Sequence, residues 1–387
     1  MRGPSRSFGV PMNYLDNVLI VADSDRDANM LYAVGMFAPD PFIYFRIDGK
    51  CHIVVTDLEM DRARKKAARC RVLSYNQCID KLRGKTKRPG MAAVISLLFR
   101  ERHLRKIFVP ANFPHGLARE LRNYNIKVRV KKGGIFPERE FKNGDEIKKI
   151  SGALIMAEVG LAEGIQALKT SKILRDGKLG YHGVPLTSEK LRGIIETAIV
   201  QAGGTACHTI VAGGRQACDP HEPGHGPLRA NEPIVLDVFP RSCKTGYFGD
   251  ITRTVVRGRA SEAARRLYDT VARAQEIAFA QLRPQTPAAA VHQTVLTFFD
   301  GQGYKTGKRN GRIQGFFHGT GHGLGMEIHE APRMGVNSHD VLAAGQVVTI
   351  EPGLYYSEIG GIRLEDVAAI TPQGARNLTK FEKSLEV

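Results

Sequence analysis

Four carboxylates in the second half of this 387-residue chain sit in apolar runs of the kind that strands bury: Asp237 ends "PIVLD", Asp250 opens "DITRTVV", Glu351 interrupts "QVVTIEPG", and Glu365 lies within "GGIRLEDVAAI". A buried carboxylate without a partner is costly and would take up a proton instead. One such residue is most often half of a structural ion pair; four are hard to neutralise that way. Two divalent cations would balance four carboxylates in charge and use their oxygens as ligands. One neutral imidazole added to the set gives an oxygen-rich shell with a single nitrogen, which suits manganese, cobalt, iron or zinc rather than a thiolate-selecting soft metal. A two-metal site of that kind clamps a bridging water, lowers its pKa and polarises a carbonyl, so the implied chemistry is hydrolysis.

The imidazole has several candidates. "HGTGHGLGMEIHEAP", residues 318 to 332, holds His318, His322 and His329 among glycines that oppose a continuous helix. A helical His-Glu-x-x-His zinc face is therefore excluded, and the residues alone leave the choice among the three open. Upstream, "ACDPHEPGHGPL" offers His221 and His225. His292, inside the helical pattern "AAAVHQTVLTFF", reads as a satisfied histidine, and His182 and His208 carry no functional expectation. "GQGYKTGKRNG" has the wrong glycine spacing for a phosphate loop, with Arg309 where Ser or Thr is needed, and reads as a basic loop beside the site.

The chain is long enough for two domains. Residues 14 to 58 alternate short apolar runs with turn residues, and helical stretches such as "AAVISLLFRER" then alternate with strand-like "KIFVPANF" and "IKVRVKK". This predicts an α/β domain over residues 1–140. Residues 141–387 read as α+β: a long helix capped by Asp145 behind Gly144, further helices at "SEKLRGIIETAIVQAG", "SEAARRLYDTVARAQEIAFAQL" and "PAAAVHQTVLTFFDGQG", and mainly antiparallel strands that carry the carboxylates.

The formal net charge is +17, of which residues 1–150 hold +14. The basic clusters "RARKKAAR" and "KLRGKTKR" lack interleaved aromatics that would stack on bases, so a solvated basic face is expected rather than a nucleic-acid partner. Six scattered cysteines without a Cys-x-x-Cys pair signal neither a disulfide framework nor a zinc knuckle and are expected to be mostly buried free thiols. No signal-peptide pattern and no run approaching a membrane span is evident, which makes a cytoplasmic protein without membrane attachment the expectation.

"DVFPRSCKTGYFGDITRT", "HGTGHGLGMEIHEAP", "TIEPGLYY" and "GGIRLED" resemble, in order, the metal-site motifs of the pita-bread metallopeptidases, which include methionine aminopeptidase, aminopeptidase P and prolidase. The first half is similar, through the layout of "DNVLIVAD" and "LYAVGMFAPDPFIYFRIDGKCHIVVTDLE", to the creatinase-type N-terminal domain, which favours the Xaa-Pro branch. The resemblance implies an α+β pita-bread catalytic domain behind an α/β N-terminal domain. It implies two divalent ions, with manganese expected and cobalt, zinc or iron also able to serve. Asp237 would be a bidentate ligand of one metal, Asp250 and Glu365 would bridge, and His322 and Glu351 would bind the second, with Glu351 also acting as general base toward a metal-bridging hydroxide nucleophile. His329 and His221 would contact the substrate and assist catalysis, while His318 and Arg363 would stand behind the ligands. The implied activity is hydrolysis of the bond between an N-terminal residue and proline, on a peptide with proline at its second position, by a homodimer. Two alternatives remain: a catalytically silent pita-bread binding module that uses its basic first domain, and a metal-free creatinase-like amidinohydrolase. The sequence departs from the family in Asp237-Val238-Phe239, where Asp-x-Gly is usual, and Asp250 follows Asp237 by thirteen residues, two more than usual. A hairpin turn can absorb that insertion without a register shift; Phe239 would narrow the pocket.

Overall fold

The computed structural model describes residues 16–84, 89–206, 208–309 and 311–387. The chain divides into two units, the first ending at Arg139 and the second Glu140–Val387. In the first unit, strands Arg71–Ser74, Lys50–Val55, Phe42–Ile47, Val18–Ala22, Lys106–Val109 and Lys127–Val130 form one mixed sheet in that order. Alternation along each strand sends Leu19, Val21, Ile43 and Phe45 to one face, against helix Met91–Arg100. Val18, Ile20, Phe42 and Tyr44 go to the other, against helix Ala28–Val34. Both faces of the central strands are apolar because both are covered, which is the pattern expected of an α/β domain.

The second unit has two parts of similar layout. Helices Gly144–Thr170 and Ser188–Gln201 pack with the antiparallel strands Ile210–Gly213, Pro233–Val238 and Ile251–Val256 around Leu161, Ile195, Leu236 and Val255. Helices Glu262–Gln281 and Ala288–Gly301 pack with a five-stranded antiparallel sheet around Val271, Val295, Val348 and Ala368. The strand order in that sheet is Glu330–Met334, Gly321–Gly323, Val347–Ile350, Asp366–Thr371 and Gly374–Asn377. The expected helices are all present. The cap of the first is Asn143 rather than Asp145: the Asn143 side chain accepts from the amides of Asp145 and Glu146, and Glu146 reaches back to the Asn143 amide in a capping box. At 27 residues, this helix also reaches the length and apolar character of a membrane span, which the sequence expectation excluded. Ile150, Leu154, Leu161 and Leu168 on it are buried in the unit's core, which accounts for the apolar composition.

Two strand-like runs of the sequence are broken, and the breaks matter. "QVVTIEPGLYY" splits at Glu351-Pro352 and "GGIRLEDVAAIT" splits at Leu364-Glu365, so Val347–Ile350 pairs with Asp366–Thr371 while Gly353–Tyr356 pairs with Gly360–Arg363. At the break the amide of Glu351 donates to the Thr320 carbonyl (2.8 Å) and that of Glu365 to the Thr252 carbonyl (3.1 Å). Gln275, from helix Glu262–Gln281, fills the gap by donating to the carbonyls of Ile350 (2.9 Å) and Leu364 (3.1 Å). The longer Asp237–Asp250 spacing is absorbed as expected, since register runs unbroken from Pro233↔Val256 to Val238↔Ile251. Among the described cysteines only Cys70 and Cys78 are buried, and Cys243, in that connecting loop, is exposed, contrary to the expectation of mostly buried thiols; Cys207 lies outside the described residues. The cluster "RARKKAAR" has its basic residues exposed, and part of "KLRGKTKR" lies outside the described residues.

Gly321 and Gly323 flank His322 for a steric reason. A Cβ on Gly321 would stand 1.9 Å from the Thr349 carbonyl oxygen, and one on Gly323 2.0 Å from that of Ala331, so each glycine lets a neighbouring strand approach. Gly321→Ala is expected to destabilise the protein by about 1–3 kcal/mol, as overpacking does, measured as a lower urea midpoint. Gly335→Ala, at a position with open space, should leave the midpoint unchanged.

Candidate active site

The strand pair Pro233–Val238 and Ile251–Val256 brings Asp237 and Asp250 to the same end of one sheet, Asp250 standing one residue ahead of its strand. Gly249 sets that position: a Cβ there would lie 2.5 Å from the Ala153 backbone of the long helix. The broken strands deliver Glu351 and Glu365 from the other half, and Gly321–Gly323 delivers His322. Asp250, His322 and Glu365 are buried and offer ligand atoms that all lie within 4.8 Å of one another. His322 Nε2 stands 3.3 Å from Glu351 Oε1 and 3.7 Å from Asp250 Oδ2.

Electrostatics oppose full ionisation of this cluster by itself. Burial, then the nearness of Glu365, Asp237 and Glu351, pushes the Asp250 carboxyl well above its ordinary range. Burial, then Glu351 and Asp237, does the same to Glu365. Burial and Asp237 carry Glu351 up to about 7 against the opposing pull of Arg363. The imidazole of His322 goes the other way, down to about 3, through burial and the neighbouring His329. Its Nδ1 lies 3.1 Å from the Gly323 carbonyl, which can only accept, so Nδ1 carries the proton and the Nε2 lone pair faces two carboxylates. Among the described residues, Asp237 Oδ1 is buried without a hydrogen-bond partner. An orphaned carboxylate oxygen and an imidazole lone pair directed at other acceptors fit a divalent cation, which supplies the positive charge that every one of these atoms lacks.

Hydrogen bonds hold the acidic groups from behind. Arg363 Nη2 donates to Asp237 Oδ2 (2.7 Å) and Nη1 to the Tyr355 hydroxyl (3.0 Å). His318 Nδ1 faces the Gly319 carbonyl (2.8 Å), so the Tyr355 hydroxyl donates to His318 Nε2 (2.8 Å) and both nitrogens of His318 are taken. Thr252 Oγ1 donates to Glu365 Oε2 (2.8 Å), and Thr349 Oγ1 accepts from the His322 amide (3.1 Å). His292 shares a hydrogen bond with Thr320 Oγ1 (2.9 Å) in the core.

The two histidines expected on the substrate side are exposed. His329 is exposed, its ring edge-on to that of His322 at 4.4 Å. His221, also exposed, is near enough for its charge to bear on His318 and His329, whereas the His225 ring faces Glu222 at 3.4 Å. Phe239 is half-buried directly after the Asp237 strand.

Sequence inspection missed Thr252, Thr349, Tyr355, Gln275 and Arg333. Thr252 and Thr349 lie two residues from Asp250 and Glu351, the strand spacing that shares a face, and could have been found by that signal. Arg333 is the cross-strand partner of His322, exposed, and close enough to bear on His322, His329 and Glu351.

Residues 148–372 match metallopeptidase family M24. The Xaa-Pro dipeptidase of Pyrococcus horikoshii is 30% identical over 287 residues, 73% of this chain and 75% of that protein. The Xaa-Pro dipeptidase of Pyrococcus furiosus is 32% identical over 250 residues, 64% of this chain and 65% of that protein. The structure of the Pyrococcus horikoshii prolidase superposes with a TM-score of 0.77 at 25% identity, covering 96% of both chains. That of the Thermotoga maritima X-Pro aminopeptidase superposes at 0.80 and 22% identity, covering 96% of this chain and 98% of the other, a likeness of fold. The expected α+β pita-bread unit and N-terminal α/β unit are borne out. The chain belongs to metallopeptidase family M24.

Proposed function

We propose that the protein is a dinuclear metal-dependent exopeptidase that hydrolyses the bond between an N-terminal residue and proline. The observation that carries this is the convergence of four carboxylates and one neutral imidazole, with the His322 lone pair and the orphaned Asp237 oxygen facing no donor among the described residues. Likeness to Xaa-Pro dipeptidases supports the substrate class. The same ligand set disfavours both a metal-free amidinohydrolase and a silent binding module.

Asp237, Asp250, His322, Glu351 and Glu365 would hold the ions. Bound there, two divalent cations supply Lewis acidity, polarising the scissile carbonyl and acidifying the attacking water. Glu351, the most open of the buried acids at 20% side-chain exposure, takes the proton of that water as general base. Arg363 and Thr252 hold Asp237 and Glu365 in place, and His318 acts through Tyr355 and Arg363. His329 donates to the developing oxyanion, and His221 carries a proton toward the proline nitrogen, whose amine leaves poorly without one. Manganese as the ion is supported by the oxygen-rich shell. A homodimer and a cytoplasmic setting complete the proposal, with nucleic acid and membrane outside it.

A dipeptide substrate carries a free carboxylate on its proline, and Arg333 supplies an exposed cation on the strand beside His322. Arg333 as the carboxylate partner makes dipeptides the preferred substrate.

Hydrolysis of Xaa-Pro dipeptides and longer Xaa-Pro peptides, assayed after chelation and metal return, tests this directly. Chelation should abolish activity and manganese or cobalt restore it; a chain that stays inactive on every Xaa-Pro peptide with each metal contradicts the proposal. His329→Ala should lower kcat by about 100-fold or more. Arg333→Ala should raise KM for a dipeptide by about 10-fold or more, the loss of a charged hydrogen bond, and leave KM for a longer peptide nearly unchanged. Equal effects on both lengths would remove Arg333 from carboxylate binding.

A further inference from the structure

His329 stands in irregular backbone, residues 325–329, that belongs to no strand or helix, yet its ring is held 4.4 Å from that of His322. The next residue is an acid that takes no part in the ligand cluster. Glu330 Oε1 accepts from the amides of Met326 (3.0 Å) and Glu327 (3.1 Å), so the segment folds back around its own terminal carboxylate. Glu330 Oε2 accepts from Lys142 Nζ at 2.8 Å, the two side chains being 7% and 1% exposed. Gly325 opens the turn because a Cβ there would sit 2.5 Å from Glu330 Oε2. At the same point the Gly325 carbonyl accepts from the amide of Phe248 (2.8 Å), two residues ahead of Asp250. Lys142 is itself fixed, its amide donating to the Gly345 carbonyl (2.7 Å), immediately before the Asn143 cap of the long helix.

We propose that Glu330 and Lys142 form a buried clamp whose task in the reaction is to position His329 against the substrate. A carboxylate ringed by backbone amides defines the path of a short loop, and a buried countercharge fixes where that carboxylate lies. Glu330 is thus a positioning residue acting through His329, with both oxygens engaged. A misplacement of about 1 Å in such a group costs up to about 100-fold in rate, so the clamp governs turnover rather than metal or substrate affinity. The kinetic consequence rests on the peptidase function proposed above; the structural one does not.

The test uses the full metal-loaded chain with Glu330→Gln and Lys142→Met, the second leaving the loop's own sequence intact should the first fail to fold. Turnover of a Xaa-Pro peptide should fall by about 10- to 100-fold, with KM changed by less than about threefold and bound metal per chain unchanged. The imidazole proton–nitrogen correlation of His329, assigned by its loss in His329→Ala, should shift or broaden in both variants. Glu330→Asp, which keeps the charge and shortens the reach, should fall between wild type and Glu330→Gln. An unmoved His329 resonance, or loss of bound metal in either variant, overturns the clamp. If the unaltered protein cleaves no Xaa-Pro peptide, the peptidase proposal fails while the resonance still decides the clamp.

Discussion

Asp237, Asp250, Glu351 and Glu365 crowd one place with a neutral imidazole, and their mutual repulsion is the constraint around which the catalytic unit is built. Carboxyls in such surroundings either take up protons or meet cations. Protonation would leave acids with little use at neutral pH, whereas cations turn the same crowding into an affinity. The surrounding side chains hold the acids still. Arg363 offers one compensating charge and is bound on both sides, by Asp237 and Tyr355. Thr252 holds one oxygen of Glu365.

Backbone geometry meets the same demand. An acid in the middle of a continuous sheet would point across a packed face, so both strands of the hairpin that turns between Tyr356 and Gly360 break at the level of Glu351 and Glu365. The freed backbone groups are taken up by Thr320, Thr252 and Gln275, which keeps the break from becoming a defect. His322 arrives on a three-residue strand squeezed between two others, and only glycine on either side of it permits that approach.

Much of this was legible in the sequence because a carboxylate inside an apolar run is an anomaly that burial must explain. The four acids were visible that way, and the helices and strands around them followed from ordinary periodicity. The imidazole was not: three histidines within fifteen residues share one composition, His318 and His322 both set Nδ1 against a backbone carbonyl, and they part only at Nε2, which meets the Tyr355 hydroxyl in His318 and two carboxylates in His322. The glycines of that stretch were read only as opposing a helix; Gly321 and Gly323 serve close packing of strands. The helix cap at Asn143 rather than Asp145 differs by two residues because the capping box needs Glu146 at its third helical position. Gln275 and Lys142 were invisible, since each acts across more than 70 residues of chain, and nothing local marked Tyr355 as the partner of His318.

The acid cluster has the charge and the ligand atoms to bind two cations. Calorimetric titration of manganese into chelator-stripped protein, repeated on Glu365→Gln, tests it most directly. The unaltered protein should take up two equivalents per chain, and at least one of them should be markedly weakened in the variant. Uptake that does not exceed weak surface binding, or that ignores the loss of Glu365, would contradict it.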